Sequence, residues 1–131
     1  MHLAVRSEVL AESIDGDGRL TRKGAEKLIA TVDEFAKIAI SSGCADVMAF
    51  ATSAVRDAGN SDEVLAKVRA QTGVDLQVLS GVDESRLTFL AVRRWYGWSK
   101  GRITNLDIGG GSLELSSGVD EEPDVAMSLP L

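Results

Sequence analysis

One cysteine, one histidine and two prolines are all that the 131 residues contain of those types. The lone Cys44 excludes an internal disulfide and every cysteine-rich zinc pattern, and it points to an intracellular, cytoplasmic setting. The lone His2, beside the first methionine, leaves no material for a Ser-His-Asp triad or a multi-histidine metal centre. Apolar runs last only a few residues and no basic-then-apolar pattern opens the chain, so neither a membrane span nor a signal peptide is expected. Bases are outnumbered, fourteen against twenty acids, for a net charge of −6, which argues against a sequence-blind grip on DNA through a basic field. An anionic ligand would have to be met by local groups or by a metal. Carboxylates, hydroxyls and backbone amides are left to do any chemistry.

What is present is an ordinary globular composition, 44% apolar and 26% charged with a mean hydropathy of +0.04, at a length that suits one domain. Residues 3 to 10 alternate as a strand and end in the turn Asp15-Gly16-Asp17-Gly18. A calcium loop starting at Asp15 fails, because Arg19 takes a ligand position and Leu20 stands where glycine is required. From Thr21, apolar residues recur at steps of three and four through Ile40, predicting a long amphipathic helix closed by Gly43. Residues 45–51 form a short apolar run suited to a strand covered on both faces. Asn60 or Ser61 then caps a helix that Gly73 stops.

Leu76 to Leu79 predicts another strand, and Ser80 to Asp83 has capping-box spacing before a helix running to about Tyr96. Its stripe of Leu87, Leu90, Ala91 and Trp95 is expected to face the core, with Trp95, Tyr96 and Trp98 as packing residues rather than a base-stacking platform. Strands follow over 103–108, 112–117 and 125–131, the first two joined by Gly109-Gly110-Gly111. This alternation predicts an α/β layer with helices packed on a mainly parallel sheet that finishes in a hairpin.

The glycine hairpin carries the most chemistry. Three glycines between strands either simply turn the chain or leave backbone N–H groups open to an anion, with phosphate the natural guest. No Gly-Lys-Ser/Thr follows, and Glu114 stands where a dinucleotide fingerprint needs its third glycine. Asp107 interrupts an apolar strand at the hairpin's mouth, and strand periodicity puts Ser112, Glu114 and Ser116 on one face with Leu113 and Leu115 on the other. Two carboxylates flanking a phosphate make chemical sense only with a divalent cation between them, most simply Mg²⁺. Asp83 and Glu84 open the preceding helix, either as dipole partners or with one of them orienting a water toward phosphorus. Arg56 and the Thr52 and Ser53 hydroxyls are candidate phosphate contacts, with surface ion pairing the alternative for Arg56.

Asp107-Ile108-Gly109-Gly110-Gly111-Ser112-Leu113-Glu114, preceded by Leu79-Ser80-Gly81-Val82-Asp83-Glu84-Ser85-Arg86-Leu87 and by Ala51-Thr52-Ser53-Ala54-Val55-Arg56-Asp57, resembles the exopolyphosphatase and guanosine pentaphosphate phosphohydrolase (Ppx/GppA) family in motif order and spacing. The resemblance covers nearly the whole chain. It implies a ribonuclease H-like α/β fold of the actin-like ATPase, sugar kinase and Hsp70 superfamily, a mixed sheet with flanking helices. It also implies Mg²⁺-dependent removal of the terminal phosphate of polyphosphate or of the 5′ γ-phosphate of guanosine pentaphosphate. By motif, Glu84 resembles the acid that activates water, Asp107 and Glu114 the metal-associated carboxylates, Gly109, Gly110, Gly111 and Ser112 the second phosphate loop, and Arg56 a phosphate contact. The family's first loop, of Asp-x-Gly-Ser-Asn type, and its second domain have no counterpart here, so residues 1–131 are expected to be a truncated N-terminal first domain. Sheet edges opened by truncation point to self-association as a homodimer. An incomplete phosphate-binding or interaction module is the alternative to an enzyme.

Overall fold

Thr21 begins the first long helix as the spacing predicts: its backbone is extended and its hydroxyl accepts the Gly24 amide at 3.1 Å. The computed structural model describes residues 10–131, so the strand expected over 3–10 lies, except for Leu10, outside the described residues, as does His2. Helix α1 spans Arg22–Ser41, strand β1 Ala49–Ala51, helix α2 Ser53–Arg56, helix α3 Ser61–Thr72 and strand β2 Leu76–Val78. Helix α4 spans Gly81–Tyr96, followed by strands β3 (Ile103–Ile108), β4 (Ser112–Gly118) and β5 (Val125–Pro130). The strands fall into two sheets, a parallel β1-β2 pair and an antiparallel β3-β4-β5 sheet, and the chain divides into two compact units that meet in sequence between Val78 and Leu79.

The first unit packs Leu28 and Val32 of α1 with Val64 and Val68 of α3 and with Ala51 and Leu76 of the strands. Gly73 ends α3 in the left-handed conformation, φ 73°, its amide bonded to the Arg69 carbonyl. Asn60 stands at the N-cap of α3 without capping it. Its side-chain oxygen instead accepts the Leu20 amide at 2.8 Å and its nitrogen donates to the Leu20 carbonyl at 3.0 Å, clasping the preceding turn onto the helix start. The Asp15–Gly18 segment is the plain turn: Asp15 Oδ1 accepts the amides of Asp17 and Arg19. The strand expected over 45–51 shortens to three residues, and Met48 and Phe50 are exposed. Its apolar composition suggests two covered faces, but among the described residues it pairs with one short strand only.

In the second unit, Ser80 Oγ accepts the Asp83 amide at 3.1 Å and donates to Asp83 Oδ2 at 2.7 Å, so the helix start is fixed by residues of the predicted box. The stripe that α4 buries is Ser85, Phe89 and Arg93, each 0% exposed; Leu87 and Trp95, expected in the core, are 46% and 84% exposed. The reason lies in the sheet. The face of β4 that α4 covers carries Ser112, Glu114 and Ser116, all buried, while Leu106, Ile108, Met127 and Leu129 of the opposite face are exposed. A polar floor selects polar helix residues, because buried polar groups need partners. Ser85 Oγ donates to the Leu115 carbonyl at 2.9 Å. Arg93, stacked over the Phe89 ring, donates to the carbonyls of Gly101 at 2.7 Å and Gly118 at 2.8 Å.

Gly118 lets this helix and the turn before β5 close together. A Cβ there would lie 2.8 Å from Pro123 Cα and 3.1 Å from Phe89 Cζ. Gly118→Ala is therefore expected to destabilise the second unit by about 1–3 kcal/mol. Urea denaturation reads this as a lowered midpoint at unchanged slope, and an unshifted midpoint would contradict the tight approach.

Candidate functional site

Antiparallel pairing of β3 and β4 puts Asp107 directly opposite Glu114, and pairing of β4 with β5 puts Ser128 opposite Glu114 on the other side. Because side chains alternate along a strand, Asp107, Glu114 and Ser128 form one row across the covered face of the sheet. Glu114 is 1% exposed, and its Oε1 accepts the Ser128 hydroxyl at 2.8 Å. Asp107 is half-buried, with Thr88 Oγ1 of α4 at 3.5 Å from its Oδ2, a long and weak contact. The next row pairs Asn105 with Ser116, whose Nδ2 and Oγ are buried without a partner.

The glycine turn closes at the end of this row. The Gly109 amide donates to the Ser112 carbonyl at 2.9 Å, and the Leu131 amide to the Gly111 carbonyl at 3.1 Å. Positive φ is found at Gly18, Gly43, Gly73, Gly97 and Gly101, not in this turn, so its glycines serve by lacking side chains rather than by handedness. The Gly109 amide, expected to face an anion, is engaged inside the hairpin, which leaves the tip amides of Gly110 and Gly111 without an internal acceptor among the described residues. Ser112 begins β4 as a buried residue on the Glu114 face.

Glu84 lies in the first turn of α4, half-buried, its amide bonded to the Ser80 carbonyl. Ser85 meets Leu115 while Arg93 meets Gly118, so α4 runs in the same direction as β4 and its N-terminal turn lies toward the hairpin end. Asp83, the neighbouring acid, is occupied in the cap and lies 3.6 Å from Arg86 Nη1. The second unit thus gathers Glu84, Asp107, Glu114 and the 109–112 turn at one end. Ser128 and Thr88 escaped the sequence reading, since only strand register and helix direction bring them to the carboxylates.

Arg56 belongs to the first unit. It ends α2, where its guanidinium meets both carboxylate oxygens of Asp57 at 3.1 and 3.3 Å, and it lines a cleft of about 640 Å³ with Arg19, Asn60, Asp62 and Glu63. Thr52 precedes α2 without a capping side-chain bond. Lys67, hydrogen-bonded to Glu63, holds that carboxyl below the usual range. No group of three or more His, Cys, Asp or Glu side chains converges among the described residues, and no helix among them is long and apolar enough to cross a membrane.

The model of the Ppx/GppA phosphatase family matches residues 4–131. The chain belongs to the Ppx/GppA phosphatase family. Exopolyphosphatase 1 of Mycobacterium tuberculosis is 75% identical over 93% of this chain, and that of Mycobacterium leprae 73% over the same share. The chain spans 36% of the length of each of these relatives. Among solved structures, the Aquifex aeolicus Ppx/GppA family member superposes with a TM-score of 0.78 at 30% identity, over 92% of this chain and 39% of that one. An exopolyphosphatase from Cytophaga hutchinsonii gives a TM-score of 0.81 at 26% identity, over 87% of this chain and 36% of that one. The α/β fold of the Ppx/GppA family, of the actin-like ATPase kind, is therefore the fold of this chain.

Two carboxylates facing across a strand pair repel each other when both are charged. Asp107→Asn is expected to raise metal-free stability at neutral pH by about 0.2–1 kcal/mol. Denaturation in a chelating buffer checks it, and a lowered midpoint would show that the pair is not repulsive.

Proposed function

We propose that the chain supplies the water-activating and metal-holding part of a cytoplasmic phosphohydrolase that removes the terminal phosphate of inorganic polyphosphate. The observation that carries this reading is the Asp107–Glu114 row at the mouth of the glycine turn, with the N-terminal turn of α4 at the same end. The high identity to mycobacterial exopolyphosphatases supports polyphosphate over guanosine pentaphosphate, whose 5′ γ-phosphate is the second candidate within the family.

The residues present fit Mg²⁺. This ion commonly takes one or two carboxylates and completes its shell with waters and phosphate oxygens, so Asp107 and Glu114 suffice without a third protein ligand. When bound it would neutralise negative charge on the phosphate being attacked. The tip amides of Gly110 and Gly111, without an internal acceptor among the described residues, serve as neutral donors to phosphate oxygens, and the absence of side chains leaves room for the approach. Glu84 orients a water for in-line attack on phosphorus and accepts its proton as the bond forms. Arg56, in the first unit, enters this reading as a phosphate contact from its motif alone; there its guanidinium is paired with Asp57.

Purified chain incubated with polyphosphate and Mg²⁺ is expected to release orthophosphate, and Glu84→Gln to slow release at least ~100-fold. Equal release by the variant would remove Glu84 from this role. A second reading, a phosphate-binding or interaction module without turnover, needs only the open tip amides of Gly110 and Gly111. Calorimetric titration with polyphosphate separates the two: binding without release supports the module.

A further inference from the structure

We propose that Ser128 is a positioning residue for Glu114, holding one carboxylate oxygen so that the other is presented to the divalent cation; this rests on the metal-holding role of Glu114 proposed above. Glu114 is almost fully buried, and a buried carboxylate is tolerated only with hydrogen-bond donors around it. The strand neighbour on one side, Asp107, is an acid and supplies none when ionised. In the adjacent row, the potential donors Asn105 Nδ2 and Ser116 Oγ are buried without any partner, so neither serves Glu114. That leaves the Ser128 hydroxyl, 2.8 Å from Glu114 Oε1, as the side-chain donor to this carboxylate among the described residues.

The placement is set by register. Ser128 faces Glu114 because β5 pairs with β4 from Ser112–Pro130 to Ser117–Val125, and its hydroxyl reaches across one strand spacing. A hydroxyl donating to Oε1 fixes the carboxylate's rotation. It thereby keeps the remaining oxygen on offer to a ligand without the reordering that a loose side chain would require. Groups that orient metal ligands in this way have effects on affinity well beyond their own bond.

The test is Mg²⁺ binding to the 131-residue chain, measured by isothermal titration calorimetry with the metal alone, beside unfolding curves in chelating buffer. Ser128→Ala is expected to weaken Mg²⁺ affinity about 10-fold, and Ser128→Thr, which keeps the hydroxyl, to bind within about twofold of the unaltered chain. Should Ser128→Ala fail to fold, Ser128→Cys, which keeps the volume but donates weakly, takes its place. Unchanged affinity in the hydroxyl-deleted variant overturns the proposal. So does equal weakening by Ser128→Thr, which would make the effect one of packing. If the unaltered chain binds no Mg²⁺, or Glu114→Gln binds it as well as the unaltered chain does, the metal-holding reading itself falls and Ser128's role with it.

Discussion

The register between β3 and β4 is the constraint on which the second unit depends. Closure of the hairpin by the Gly109 amide on the Ser112 carbonyl leaves two glycines at the tip, and this spacing sets Asp107 opposite Glu114. Side chains alternate with a period of two, so a slip of one residue would turn Glu114 to the other face. It would carry Ser112 and Ser116 with it and bring Leu113 and Leu115 under α4. The same register lets Ser85 meet the Leu115 carbonyl and Arg93 the Gly118 carbonyl. Gly118 is without a side chain where Phe89 and the Pro123 turn converge, so the end of the strand is anchored by close packing as its beginning is by the hairpin.

Much of this was legible in the sequence. The three C-terminal strands, the start of the long helix at Thr21, the cap at Ser80, the helix stop at Gly73 and the shared face of Ser112, Glu114 and Ser116 follow from local chemistry, and local chemistry is what a sequence displays. The stripe of α4 was not legible, because apolar periodicity assumes an apolar floor. Here the floor is the carboxylate row and its serines, so Ser85 and Arg93 are buried while Leu87 and Trp95 are exposed. Asn60 misled in a related way. Its position fits a helix cap, yet its amide satisfies both backbone groups of Leu20, forty residues earlier, a pairing that no local pattern announces. Ser128, the donor to Glu114, belongs to the same class, being set by strand register rather than by spacing along the chain.

The polar seam under α4 also separates charge of opposite sign. Arg93, the buried cation, lies at the far end of β4 and is hydrogen-bonded by backbone carbonyls of Gly101 and Gly118 rather than paired with an acid. Glu114 and Gly118 are four strand positions apart, roughly 13 Å at the usual rise per residue. At an effective dielectric of about 20, two unit charges attract by about 4 kcal/mol at 4 Å but only about 1 kcal/mol at this distance. Arg93 can therefore hold the helix to the sheet without quenching the carboxylates at the other end. Had the guanidinium stood beside Glu114, an internal ion pair would have formed there. Placed as it is, the arginine ties α4 to the far end of β4, away from the Asp107–Glu114 row.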